Sequence, residues 1–167
     1  MTTVDTAPRR ASQFAYAGTA GRLLLGGVLL YAGLAKIGDP DASIRAVKAY
    51  RLLPGQAAEV VGAALPMVEV AVGLLVLVGL ATRVAAGSSA VLLSCFVAGM
   101  VSAWARGLRI DCGCFGGGGQ LGATESPDYG THVARSAALL AIALFLVFRP
   151  RTRLSADARL AREDGFR

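Results

Sequence analysis

The chemically most reactive grouping in this chain of 167 residues is a pair of cysteines one residue apart, in the segment Asp111-Cys112-Gly113-Cys114-Phe115-Gly116. Two thiols separated by a single glycine can close a small ring, because glycine relaxes the backbone restrictions. So short a loop strains the bond, and strain makes a disulfide easier to reduce. That profile fits an exchangeable disulfide, with Cys112 and Cys114 as the catalytic pair, and the glycine run Gly116 to Gly119 lets a partner approach. A structural disulfide or an idle thiol pair is the plainer alternative. Arg106 and Arg109 favour the thiolate, whereas Asp111 opposes it. A metal site needs more ligands. His132, the one histidine, could join, but two sulfurs and an imidazole fall short of a closed zinc site, although they can hold Cu(I). No metal ligand is assigned, and His132 reads as an interfacial residue.

Glu69 lies deep in an apolar run, where a carboxylate costs several kcal/mol unless it is paired, protonated or hydrated. Glu59, Gly62, Pro66, Glu69 and Gly73 follow a 3-4-3-4 spacing and share one helix face, which must look inward. Lys36 and Arg135 are the candidate partners of Glu69, while Arg22 is a poorer match for Glu59. An intramembrane polar network of Lys36, Glu59, Glu69 and Arg135 is therefore expected. Its plain role is to fix helix register, and its functional role is proton handling in a cavity that Pro66 helps to shape. Tyr31 and Tyr50 supply hydrogen bonds or interfacial anchors. The third cysteine, Cys95, shares a face with Gly87, Val91 and Gly99, beside a stripe of Ala86, Ala90, Ser94 and Ala98. Small residues mark helix contacts in membranes, so Cys95 is expected to face the bundle, too far along the helix to relay electrons to Cys112.

The elements that must position these groups follow from composition. Hydrophobic residues make up 54% of the chain and charged residues 17%, against about 25% charged in an ordinary soluble domain, and mean hydropathy is +0.56. These values exclude a soluble enzyme and a disordered chain. The apolar residues are clumped into four blocks long enough to cross a bilayer, which predicts an all-α integral membrane protein, a four-transmembrane-helix bundle. The predicted spans are 14–37, 58–80, 84–105 and 131–148, with a short segment 1–13 before them and a basic tail, 150–167, after them. The first span also fits a cleavable signal sequence, but its apolar character extends upstream through Phe14, Ala15, Tyr16 and Ala17, and Arg22 can snorkel to the surface. Thr82 and Arg83 are expected to turn the chain between spans two and three. In the loop 38–57, Ala42 to Leu53 reads as an amphipathic helix on the membrane surface, and Ser155 to Arg167 as a second surface helix.

An even number of spans puts both termini on one side. Nine Lys/Arg lie in the termini and the 2–3 turn (Arg9, Arg10, Arg83 and six tail arginines), against five in the other loops (Arg45, Lys48, Arg51, Arg106, Arg109). The termini are thus expected to be cytoplasmic and the cysteine loop outward, where disulfides persist. No aromatics interleave with the tail arginines, so nucleic acid is not an expected partner.

Several motifs in order resemble the MauE family: Gly33-Leu34-Ala35-Lys36-Ile37, Tyr50-Arg51-Leu52-Leu53-Pro54, Leu65-Pro66 followed by Glu69 and Gly73-Leu74, and Cys112-Gly113-Cys114-Phe115-Gly116. The family is the methylamine-utilisation membrane proteins, related to the DoxX-like four-helix proteins. The resemblance implies a bacterial inner-membrane protein tied to extracytoplasmic redox work, in which MauE serves maturation of the disulfide-rich small subunit of methylamine dehydrogenase beside a thioredoxin-like partner, MauD. The architecture also resembles DsbB and VKOR, but a C-x-C without a second outer pair departs from their pattern, and a quinone follows only by analogy. The leading expectation is thiol–disulfide exchange at Cys112 and Cys114 with an extracytoplasmic thioredoxin-fold partner. The rivals are a non-catalytic scaffold for a redox complex and a small transporter or metal carrier using Glu69.

Overall fold

The computed structural model describes residues 7–113, 118–122 and 124–149, with side chains from residue 15 onward. It consists of α1 (Ala7–Ile37), α2 (Pro40–Ala49), α3 (Gly55–Val78), α4 (Thr82–Ala105), β1 (Ile110–Asp111), β2 (Gly119–Gln120) and α5 (Tyr129–Phe148). Four of the helices are long and apolar enough to cross a membrane. A helix satisfies its own backbone polar groups, as a segment in hydrocarbon must. The surface tail helix expected over Ser155 to Arg167, and Cys114 itself, lie outside the described residues.

The connections follow their local chemistry. Asp39 caps α2 by accepting from the Ala42 amide at 2.9 Å, with Pro40 in the first turn, where a missing N–H costs nothing. Gly79 ends α3 in the left-handed conformation (φ 72°) and donates to the Leu75 carbonyl, as glycine does at helix ends. Ala81 is also left-handed (φ 46°). The turn is therefore Gly79 to Ala81, and Thr82 and Arg83, expected to form it, already belong to α4.

The α1–α3 pair is held by glycines. A Cβ on Gly73 would stand 2.7 Å from the Leu30 amide nitrogen, one on Gly26 2.9 Å from the Gly73 carbonyl oxygen, and one on Gly33 2.8 Å from the Pro66 oxygen. The two backbones touch where Gly26 and Gly33 of α1 meet Gly73 and Pro66 of α3, a close approach that small residues permit in membranes. Helices α4 and α5 form the second close pair. Between the pairs lies an apolar core that includes Leu25, Leu29, Val76, Leu93, Leu139 and Leu146. Large apolar side chains such as Leu24, Met67, Val84 and Phe148 point outward, as lipid-facing residues do.

Three expectations are corrected here. Helix α2 ends at Ala49 rather than Leu53, and its small face, Ala42, Ser43, Ala46 and Ala49, is buried. It packs on α3, where a Cβ on Gly62 would meet the Ile44 Cα at 2.6 Å, so another helix takes the face assigned to lipid. Arg22 does not snorkel: it is 2% exposed and donates to the Val78 carbonyl, at the end of α3, where the helix dipole favours a cation. Cys95 is exposed. The face that α4 buries instead runs through Ala85, Ala86, Ser89, Ala90 and Leu93. Ser89 returns its hydroxyl to the Ala85 carbonyl at 2.9 Å, so this stripe is small and leaves no unsatisfied group.

Gly73→Val is expected to push α1 from α3 and cost about 1–3 kcal/mol, read as a lower denaturation midpoint in detergent. Gly27→Ala, whose Cβ meets nothing within 4 Å, should leave that midpoint unchanged.

Candidate functional site

The cysteine loop sits at the end of the bundle that also carries α2. Strands β1 and β2 pair antiparallel, with Ile110 opposite Gln120 and Asp111 opposite Gly119, so Cys112 leaves β1 at the neck of a clamped hairpin. Its neck needs glycines: Gly113 and Gly118 both have positive φ (65° and 97°), and a Cβ on Gly118 would meet the Gly113 Cα at 2.6 Å and the Ala46 Cβ at 2.8 Å. Tyr129 fixes the base. Its hydroxyl donates to the Leu108 carbonyl at 2.6 Å and accepts from the Ile110 amide, while its ring stacks on Trp104. Tyr50 reaches from the end of α2 and donates to the Cys112 carbonyl at 3.3 Å, a bond rather than a bare interfacial anchor.

The arginines expected beside the thiols do other work. Arg106 donates to the Tyr50 and Arg51 carbonyls, and Arg109 to those of Gly122 and Glu125. What does stand next to Cys112 is His132, whose Nδ1 is 3.2 Å from the Sγ, with Arg135 Nη2 3.1 Å from the same nitrogen. A guanidinium only donates, so in the contact with Arg135 the Nδ1 is the acceptor. His132, read as an interfacial residue, is thus the nearest base to the thiol. It lies 20 residues beyond Cys112 in sequence, which gave spacing little hold on it. Its first-turn position is set by Asp128, which caps α5 through the Thr131 amide at 3.2 Å. The bonds from Thr131 hold the Asp128 carboxyl below its ordinary value.

Asp111, Cys112 and His132 also bring one ligand atom each to within 4.8 Å of one another. A sulfur, a nitrogen and an oxygen suit a borderline or soft divalent ion. Arg135 places positive charge on the imidazole nitrogen that faces the sulfur, and that opposes a cation between them.

The predicted polar network divides. Lys36 Nζ donates to both oxygens of Glu69 at 2.7 Å, with the two side chains 4% and 1% exposed. Helical side chains lean toward the N-terminus of their own helix, so in this antiparallel pair the lysine and the glutamate lean toward each other. Gly62, Pro66 and Gly73 are buried on the same face as Glu69. Glu59 is not part of this group: it is 55% exposed and pairs with Lys48 of α2 at 2.6 Å, because α3 reaches past the bundle at that end and α2 supplies a nearer cation. Arg135 bonds His132 rather than Glu69, although Arg135 and Glu69 both line a small cavity of about 30 Å³ between α1, α3, α4 and α5, roomy enough for a water.

A larger cavity of about 450 Å³ lies between α2, α3 and α4, with Lys36, Phe96, Cys95 and Cys112 on its walls. Cys95 and Cys112 thus line one space, Cys95 from α4 and Cys112 from the residues that follow β1.

Residues 14–149 match the profile of the methylamine utilisation protein MauE family. The methylamine utilization protein MauE of Paracoccus denitrificans is 35% identical over 125 residues, which cover 74% of this chain and 64% of the relative. The chain thus spans under two thirds of that relative's length. No solved structure matches.

Glu69→Gln is expected to cost about 3–5 kcal/mol, because it leaves the Lys36 ammonium buried without its counter-charge. The double variant Lys36→Met, Glu69→Leu should recover most of that loss in detergent unfolding; a double variant as unstable as Glu69→Gln would show that the pair holds more than its own charges.

Proposed function

The chain belongs to the MauE family, and on that premise we propose that it is an inner-membrane thiol–disulfide exchanger serving the maturation of exported proteins in methylamine utilisation. Both termini are cytoplasmic, and the hairpin loop with Cys112 and Cys114 faces outward to a thioredoxin-fold partner. The observation that carries this reading is the Cys112–His132 contact, with Arg135 behind it. A cysteine held against a base and a cation is the setting in which a thiolate forms and leaves readily.

The exchange conserves electrons within two dithiol/disulfide pairs. A partner thiolate attacks Cys114 of the Cys112–Cys114 disulfide; the S–S bond breaks, Cys112 leaves as a thiolate beside His132 and Arg135, and a mixed disulfide joins Cys114 to the partner. The partner's second thiol then attacks that bond, releasing Cys114 and carrying away the disulfide. The partner is oxidised and the pair is left as a dithiol. His132 exchanges the Cys112 proton at Nδ1, and Arg135 must yield that nitrogen while the imidazole is protonated.

With the Cys112–Cys114 pair oxidised, a partner whose second cysteine is replaced by serine should accumulate a mixed disulfide with Cys114, visible on non-reducing gels, and the Cys112→Ser, Cys114→Ser double variant should show none. A cross-linked species that persists in the double variant sinks the reading. His132→Ala is expected to slow exchange by about 10²-fold or more and to shift the pH profile of Cys112 alkylation, an effect that a merely structural histidine would not produce.

A further inference from the structure

The neck of the hairpin carries a second concave site, separate from the large cavity, and one wall of it is a guanidinium with no carboxylate beside it. We infer that this pocket binds an acidic side chain, aspartate or glutamate, of the extracytoplasmic protein that docks next to Cys112. The inference rests on the thiol-exchange reading and its outward orientation for the identity of the partner, and on the pocket alone for the binding of a carboxylate.

The pocket has a volume of about 220 Å³; Arg51, Arg109 and Gln120 supply its polar atoms, and Leu108 and Ile110 give it an aliphatic wall. That volume lies below the about 300–1,000 Å³ of ordinary small-molecule sites, so it suits one inserted side chain rather than a free cofactor. A guanidinium offers donors only, and its planar fork matches the two oxygens of a carboxylate. Ile110 and Gln120 are facing residues of β1 and β2. Cys112 follows Ile110 by two residues, a reach of about 7 Å along an extended chain. A side chain anchored here holds its protein against the neck from which the thiol leaves.

The local charge balance selects an anion. On α2 and the loop after it, Arg45 pairs with Asp39 at 3.4 Å and Lys48 with Glu59 at 2.6 Å. Among the described residues the Arg51 guanidinium makes no hydrogen bond and no ion pair. The nearby acids are engaged elsewhere. The Glu125 carboxylate accepts from the Gly122 amide at 3.1 Å. Asp111 follows Ile110 in β1 and so points to the other face of the strand, where its carboxylate lies near Cys112 and His132. Arg109 donates to the Gly122 and Glu125 carbonyls, which are neutral and leave its charge to act on the pocket.

The backbone at Arg51 points the same way. Its φ is 51°, a left-handed conformation that few residues other than glycine adopt. Arg106 holds it there by donating to the Tyr50 and Arg51 carbonyls. Glycine would serve such a turn without strain, so what arginine adds at this position is its guanidinium, and strained residues of this kind cluster at binding sites.

The test uses the full chain with Cys112→Ser and Cys114→Ser in phosphatidylcholine nanodiscs, so that neither thiol chemistry nor anionic lipid intervenes. The probe is a rhodamine-labelled peptide of alternating glutamate and glycine, the control is the same peptide with glutamine, and binding is read by fluorescence anisotropy. The expected result is saturable binding of the glutamate peptide alone, lost at about 1 M salt, where the screening length is about 3 Å. Arg51→Gln should weaken it about fivefold, and Arg51→Lys, which keeps the charge without the planar fork, by less. Arg45→Gln removes the same charge from the same end, outside the pocket, and should leave binding unchanged. No saturable binding, equal binding of the two peptides, or equal losses in Arg51→Gln and Arg45→Gln overturns the inference. Displacement of the probe by short-chain phosphatidylglycerol more readily than by unlabelled peptide assigns the pocket to a lipid headgroup and overturns it as well. Peptide binding as expected without mixed-disulfide trapping supports the pocket and refutes the exchange reading alone; trapping without peptide binding refutes the pocket alone.

Discussion

The Lys36–Glu69 ion pair is the constraint on which the arrangement of this protein depends. Two full charges at the core of a lipid-embedded bundle are tolerable only if each sees the other at hydrogen-bond distance, and 2.7 Å to both carboxylate oxygens meets that demand. Such proximity requires α1 and α3 to lie backbone to backbone, which Gly26, Gly33 and Gly73 allow. Apolar packing between lipid-soluble helices selects no register strongly, because lipid competes for the same contacts. The charge pair does select one, since a slip along the helix would leave both groups unpaired in hydrocarbon.

That register propagates to the chemical end of the molecule. With α3 fixed on α1, α2 settles on Gly62 of α3, and its Ala46 forms the seat for the hairpin neck at Gly118. The hairpin brings Cys112 against the first turn of α5, where His132 and Arg135 sit one turn apart. Lys36 of the ion pair and the thiol of Cys112 therefore line the same cavity. The resemblance of the ordered motifs to the MauE family gains a physical meaning: Gly33 with Pro66, Lys36 with Glu69, and Tyr50 with Cys112 are pairs that touch, each joining motifs far apart in sequence.

The parts of this molecule differ in how much of them a linear reading can reach. The four spans were legible because lipid imposes length and apolarity on a single segment at a time, and Glu69 stood out because a carboxylate in such a segment demands a partner. Lys36 was nameable as that partner since few cations lie at a matching depth. Glu59 shares the helical face of Glu69, yet periodicity does not show where α3 leaves the bundle, and α2 claimed it. Cys95 sat on one of two adjacent small-residue stripes, and nothing local distinguishes the stripe that packs from the one that is exposed.

The sequence by itself determined the class of the protein, its spans and the inward face of α3, because each is a property of one segment against its solvent. Only the tertiary structure decided that His132, itself held by Arg135, stands against the Cys112 thiol, and that Lys36, Phe96 and Cys112 line a common cavity. Those are relations among segments whose distances are set by helix packing, and packing at glycine contacts depends on the shapes of two surfaces that no single stretch of sequence contains.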